Sequence, residues 1–238
     1  MNHKFQFNFS NLEAQYLAAL ELGYEFMTCA EYINRKDNLP PLTIVNRVDI
    51  DHSVKKAGKL RCIFDRIGIK ATFFVRLHAS EYNPFSFENY RIIKCIRDSG
   101  HEIGYHSEII DQATIWDEDA AECLNRDIDI INRIFSIKIK GIASHGGMTG
   151  LNNLDFWNQN NVEDYNFVYE AYEKKGKFNL FYNSFYVSDS EWIRWKSYDK
   201  GSLCSNDNRS FGEHILDKHK LIYLLVHPDG YFERHFYE

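Results

Sequence analysis

The chain predicts an α/β fold of parallel strands joined by helices, and three observations carry that expectation. Short apolar, β-branched runs alternate with helical patterns, the helical patterns are long enough to cross over a sheet, and a carboxylate or imidazole stands near the end of one strand after another. Parallel strands connected in this way gather their C-terminal ends on one face. Barrels and open doubly wound sheets both satisfy the alternation; Asp49 and Asp51, His106, His145, Asp189 and His227, each at a strand end, incline the expectation to a barrel with one convergent site.

The first helix is expected in SNLEAQYLAALELGYEF, where Ser10 or Asn11 can cap, Leu12, Tyr16, Ala19 and Leu20 keep helical spacing, and Gly23 ends the run. PPLTIVNRVDI, an apolar run after a double proline, reads as a buried strand, and VKKAGKLRCIFDRIGI as a helix closed by Gly68. KATFFVRL is a second strand, SFENYRIIKCIRDSG a helix from Ser86 to Gly100, and HEIGYH a third strand. WDEDAAECLNRDIDIINRIF is a long helix and IKGIASHGG a fourth strand ending at His145. Beyond residue 150, FNLFYNSFYVSDS supplies one or two strands, FGEHILDKHK a helix, and LIYLLVHPDG a last, strongly apolar strand.

A length of 238 residues fits a single domain over 1–238, with 1–41 as an N-terminal helical extension packed on the strands. Hydrophobic residues at 44% and aromatics at 16% imply a packed core and argue against disorder, while the net charge of −6 argues against a general nucleic-acid binder. No long apolar run suggests a membrane span. The five cysteines, Cys29, Cys62, Cys95, Cys123 and Cys204, are widely spaced and never form C-x-x-C, which reads as reduced thiols in a cytoplasmic protein. Cys62, Cys95 and Cys123 stand at helical spacing among apolar residues and are expected in the core. The sequence carries no signal for an oligomeric state.

The chemistry concentrates first in VNRVDIDHS, residues 45–53. Asp49 and Asp51 alternate onto the same side of a strand end, where two carboxylates repel unless a cation joins them or one stays protonated. A solvated turn in which Asp51 or Ser53 caps the next helix is the plain alternative.

VNRVDIDHS, followed in order by GIKATFFV, SGHEIGYHSE, ASHGG and LLVHPD, resembles the polysaccharide deacetylase superfamily, the NodB-homology fold. The resemblance covers about residues 42–230 and is nearest the branch with an Arg-x-Asp-x-Asp first motif, here Arg47, Val48, Asp49, Ile50 and Asp51. It implies a distorted (β/α) barrel of roughly seven parallel strands, a divalent metal at the strand ends, and hydrolysis of an N-acyl or O-acyl group on a carbohydrate. By position, Asp49 matches the family's general base, Asp51 and His106 two metal ligands, and His227 the group that protonates the departing amine.

The chain departs from that pattern where the second metal histidine should stand, for Ile110 occupies the position. A stable site needs about three protein ligands. His145 is the first replacement, because it ends a strand beside glycines; Glu108, two residues past His106, is the second; loss of the metal is the third. His101, an odd number of residues from His106, is expected to pack behind the site as a satisfied histidine. An aspartate with imidazoles suits zinc first, and also manganese, iron, cobalt or nickel.

Around this set, Arg47 shares a face with Asp49 and either holds it ionised or forms a structural salt bridge; Asp189 either orients His227 or caps a turn. Trp192 and Trp195, with Tyr186 and Tyr198, offer either a wall for stacking a sugar or core packing. His52, His214 and His219 are expected at the surface or in caps. The expected activity is removal of an acyl group, N-acetyl foremost, from a sugar or sugar precursor in surface-polysaccharide assembly, with hydrolysis of a non-sugar amide, or a non-catalytic carbohydrate- or partner-binding module, as alternatives.

Overall fold

The computed structural model describes residues 6–190 and 194–234. Ten strands form one sheet: β1 Glu25–Met27, β2 Thr43–Ile50, β3 Thr72–Val75, β4 Glu102–Ser107, β5 Gly141–Ser144, β6 Tyr169–Glu170, β7 Phe185–Ser188, β8 Lys196–Asp199, β9 Ser202–Leu203 and β10 Leu221–Val226. Their order is β6-β5-β4-β3-β2-β10-β7-β8-β9, with β1 pairing the first half of β2. From β6 to β7 the path is parallel throughout, seven strands in all, and only β8 and β9 turn antiparallel.

The expected barrel is corrected in one respect: among the described residues no ladder joins β6 to β7, so the sheet is open. Strand β6 stops after two residues because the Glu170 carboxylate takes the amides of Ser144 at 3.0 Å and Tyr172 at 2.6 Å, which turns the chain away. Side chains span the gap instead, with the Tyr172 and Tyr186 hydroxyls 3.1 Å apart and Tyr223 donating to the Ala171 carbonyl at 3.3 Å.

Every residue of β2 is buried, which explains its nearly continuous apolar run. Ile44, Val48 and Ile50 face a core shared with the helices, whereas Val45 joins Phe74, Ala143, Tyr169, Tyr186 and Tyr223 in a second core enclosed by the curved sheet. Alternation then carries Arg47, Asp49 and Asp51 along the Val45 side toward the strand's C-terminal end.

The helices are α1 Phe9–Glu21, α2 Cys29–Arg35, α3 Val54–Ile67, α4 Phe87–Asp98, α5 Ile109–Trp116, α6 Ala120–Phe135, α7 Leu180–Asn183 and α8 Phe211–His214. Helix α1 is capped by Asn8, ahead of the expected Ser10 or Asn11, and Tyr16 donates to Asn46 of β2 at 2.9 Å. The extension is not purely helical, since β1 joins the sheet. Helix α2 closes the opposite end of the inner core from the polar strand ends: the Cys29 and Ala30 amides donate to Thr72 and Glu102, the first residues of β3 and β4. The long helix expected from Trp116 to Phe135 forms as α6 but starts at Ala120, capped by Asp119, because Trp116 ends the separate helix α5 at a left-handed Asp117. Among the described residues no helix is long and apolar enough to cross a membrane.

Candidate active site

Five parallel strands deliver the polar residues to one place. Asp49 lies near the end of β2 and Asp51 just past it, His106 lies in β4, and His145, Asp189 and His227 each follow the last residue of β5, β7 and β10. His106 Nε2 stands 3.3 Å from both Asp49 Oδ2 and Asp51 Oδ1; His145 Nε2 is 3.9 Å from Asp51 Oδ1, and His227 Nε2 is 3.8 Å from Asp51 Oδ2. A cavity of about 340 Å³ opens over this cluster, lined by residues that include Asp51, Arg76, His78, His145, Met148 and His227.

Asp51, His106 and His145 each offer one ligand atom, and the three atoms lie within 4.8 Å of one another. Two further observations fit a cation there. Asp51 Oδ1 is buried without a hydrogen-bond partner, which is costly for a carboxylate oxygen. The Ala143 carbonyl accepts from His106 Nδ1 at 2.9 Å, so Nδ1 carries a proton and Nε2 is the ring atom turned toward the carboxylates, the one free to serve as a ligand.

Ile110, by contrast, packs its side chain against the outer core from the first turn of α5. Glu108 is held back from the cluster, with Arg76 Nη2 donating to its Oε1 at 2.7 Å and His145 Nδ1 3.3 Å from the same oxygen. Glu108 thus stands beside the His145 ring without a hydrogen bond to it, its own place fixed by Arg76. Burial would raise Glu108, but His145 and Arg76 hold it down at about 2, so it is ionised.

The two aspartates of β2 differ in surroundings. Arg47 Nε and Nη2 donate to Asp49 Oδ1 and Oδ2 at 2.8 and 2.7 Å, with both side chains at most 3% exposed. The guanidinium is fixed in turn by the Tyr223 hydroxyl at 3.2 Å and by the Phe74 and Tyr172 ring faces. Burial opposes ionisation of Asp49, yet Arg47, His106 and His227 together hold its carboxyl below the ordinary value. For Asp51 burial is again opposed, here by His106, His227 and His145, and the carboxyl lies far below the usual range. Burial also works to lower the His106 pKa, while Asp49 and Asp51 raise it; a cation at that spot would feel the same field.

Asp189, fully buried, accepts the His227 backbone N–H at 3.0 Å on each oxygen and lies 2.7 Å from His227 Nδ1. Burial disfavours the imidazolium, but Asp189 first, then Asp51 and Asp49, push His227 up to about 9. The turn-capping and orienting roles left open for Asp189 are thus both filled by one carboxylate.

Among the expected aromatic residues, Trp195 is buried and stacked on Phe7, and Tyr186 lies in the inner core, so neither faces a sugar; Trp192 lies outside the described residues. Trp116, 45% exposed, meets the cavity-lining His78 edge-on at 5.1 Å instead. His101 packs as expected, accepting the Ala71 amide at 3.2 Å. Arg76 escaped notice although it follows β3 directly, as the other site residues follow their strands: it donates to the Asp51 carbonyl at 2.9 Å as well as to Glu108. Asp229 was missed too; its Oδ2 accepts the Asp51 and His52 amides, both at 3.1 Å, and so anchors the turn after β2.

No family model matches the chain, and no curated protein matches it. The solved structures to which the chain is similar include the following three. A Streptococcus pyogenes deacetylase, PplD, in complex with acetate, is 16% identical with a TM-score of 0.43, over 55% of this chain and 59% of that one. A mutant of BA3943, a CE4 family pseudoenzyme with restored enzymatic activity, is 15% identical with a TM-score of 0.46, over 81% of this chain and 62% of that one. IcaB from Ammonifex degensii is 18% identical with a TM-score of 0.48, over 68% of this chain and 74% of that one. The chain thus spans about three fifths of the length of the first two.

Proposed function

We propose that this chain is a metal-dependent hydrolase that removes an acyl group, N-acetyl foremost, from a sugar or sugar conjugate. The observation that carries the reading is the pairing of opposite functions across one cavity: an ionised Asp49 locked to Arg47 on one side, a protonated His227 locked to Asp189 on the other, and the Asp51, His106 and His145 ligand set between them. Asp51, His106 and His145 would hold the cation, zinc first, with manganese, iron, cobalt or nickel also suited to these donors. Such an ion would supply a Lewis acid for an acyl carbonyl and for water.

The remaining work falls to the chain's own groups. Asp49, ionised at neutral pH, accepts the proton that attacking water must lose. His227 presents Nε2 to the cavity because Asp189 occupies Nδ1, and it carries the proton that a departing amine needs. His227 relies chiefly on its shorter contact, with Asp189, so it would keep that partner if Asp51 held a cation. Arg76, bridging the Asp51 backbone and Glu108, ties the segment of the first ligand, Asp51, to the carboxylate that stands beside the third, His145.

The proposal includes a soluble sugar precursor of surface-polysaccharide assembly as substrate and a reducing, cytoplasmic compartment, the latter supported by five cysteines that are all free thiols. The binding-module alternative draws on Ile110; the nearness of His145 to Asp51 and His106 supports the catalytic reading over it. Acetate release from N-acetylated sugars by the zinc-loaded protein, compared with Asp49→Asn and His227→Gln, tests the reading. Activity that survives both substitutions, or metal uptake that survives Asp51→Ala, refutes it.

A further inference from the structure

The 3₁₀ turn after α8, residues 215–217, leads through Lys218, in the left-handed region at φ 53°, into β10. We propose that His214, Asp217 and His219 on this turn form a second cation site, for a borderline transition metal such as Zn²⁺, that staples the turn feeding β10. One ligand atom from each residue lies within 4.8 Å of the other two. The His214 side chain is wholly buried, yet neither ring nitrogen has a hydrogen-bond partner, and His219 Nε2 is buried without one as well. Three such nitrogens in one turn are costly unless something accepts their lone pairs or takes their protons.

The neighbouring carboxylates do not fill that need. Asp207 stops 3.7 Å from His214 Nε2 and Asp217 stops 3.7 Å from His219 Nε2, too far for hydrogen bonds and suited to groups that face a shared ion. Arg209 is the competing charge: it pairs with Asp207 at 2.9 Å and with Asp217 Oδ2, the oxygen that faces His219, at 2.8 Å, so a bound ion would share the Asp217 carboxylate with the guanidinium. Phe185 holds both imidazoles, stacked on His219 at 3.8 Å and tilted against His214 at 4.8 Å, which gives the donors the apolar backing common behind metal sites. Two imidazoles and a carboxylate suit zinc, cobalt, nickel or copper. This cluster precedes β10 and His227 follows it, so the two sites lie roughly 26 Å apart along the strand and share no ligand.

Metal counting after equilibration with Zn²⁺ and dialysis tests the site on the full chain. Wild type should retain about two equivalents, Asp51→Ala about one, His219→Gln about one, and the combined variant none. Zn²⁺ should also raise the melting temperature of Asp51→Ala protein, and Asp217→Asn, at a half-exposed position, should abolish that rise without unfolding the chain. No uptake and no rise with Asp51→Ala protein overturns the second site. Uptake that neither His219→Gln nor Asp217→Asn diminishes also overturns it. One equivalent retained equally by wild type and Asp51→Ala would support the second site and refute the strand-end site instead.

Discussion

Replacing Arg47 with Met keeps most of the side chain's volume and removes its charge, which leaves the Asp49 carboxylate buried without the two hydrogen bonds at 2.8 and 2.7 Å. Breaking one half of a buried pair costs about 3–5 kcal/mol, because the remaining charge keeps its desolvation penalty. For a chain of this size that is a fall in melting temperature of about 6–20 °C. Asp49→Leu alone strands the guanidinium and should be similarly costly, whereas Arg47→Met with Asp49→Leu removes both charges and should recover most of the loss. Urea unfolding of all four proteins in excess chelator yields the coupling without a contribution from metal. The sign of the pH dependence is a second check. In wild type Asp49 is held below its unfolded value, so its contribution is present above about pH 4 and is lost as pH falls through the folded pKa. Without Arg47 burial dominates, the carboxyl titrates above its unfolded value, and the penalty grows as pH rises from about 4; the gap between the two proteins is therefore widest near neutrality. A single substitution costing less than about 1 kcal/mol, or four stabilities that add within about 0.5 kcal/mol, would refute the argument.

Asp189→Asn should drop His227 from about 9 to about 6.5 or below, so that at pH 8 the imidazolium fraction, and with it kcat, falls about 30-fold, while the loss at pH 6 is small. The stability that this pair contributes is present below about pH 6.5 and fades as pH rises through about 9, so the variant should be destabilised at pH 6 and close to wild type above 9; an unmoved alkaline limb of the rate profile counts against the dyad. His145→Ala should abolish stoichiometric metal uptake, and Glu108→Gln should weaken it about 10–100-fold, measured by calorimetry; the reverse ranking would make Glu108 the ligand. Gly141→Ala should cost about 1–3 kcal/mol in urea, because a Cβ there would overlap the Tyr169 ring of the inner core, whereas Gly146→Ala, with open space around it, should be near neutral.

The parts of the site legible in the sequence were those set by strand alternation. Asp49 and Asp51 share a face, and His106, His145, Asp189 and His227 lie at or just past their strands, because parallel strands end together. Arg76 obeys the same rule, but a guanidinium is no metal ligand, so a ligand pattern in the sequence does not single it out. What was not legible depends on contacts distant in the chain. The open seam at β6 follows from one side chain, Glu170, capturing two amides; α5 and α6 part at a left-handed Asp117 that no periodicity announces. Apolar neighbours misplaced several residues: Cys62 and Cys95 are exposed, since helices α3 and α4 turn those positions outward, and only Cys123 of the three is buried. His214, expected at the surface, lies wholly inside because Phe185 and the turn after α8 cover it.

The two ends of the sheet path, Tyr169–Glu170 and Ser202–Leu203, are each only two residues long. A foreign strand needs a row of free amides and carbonyls to dock on, and edges this short offer almost none. An open sheet would ordinarily trade closure for a risk of edge-to-edge aggregation; here the β6 turn that prevents closure also shortens the template at that edge to two residues.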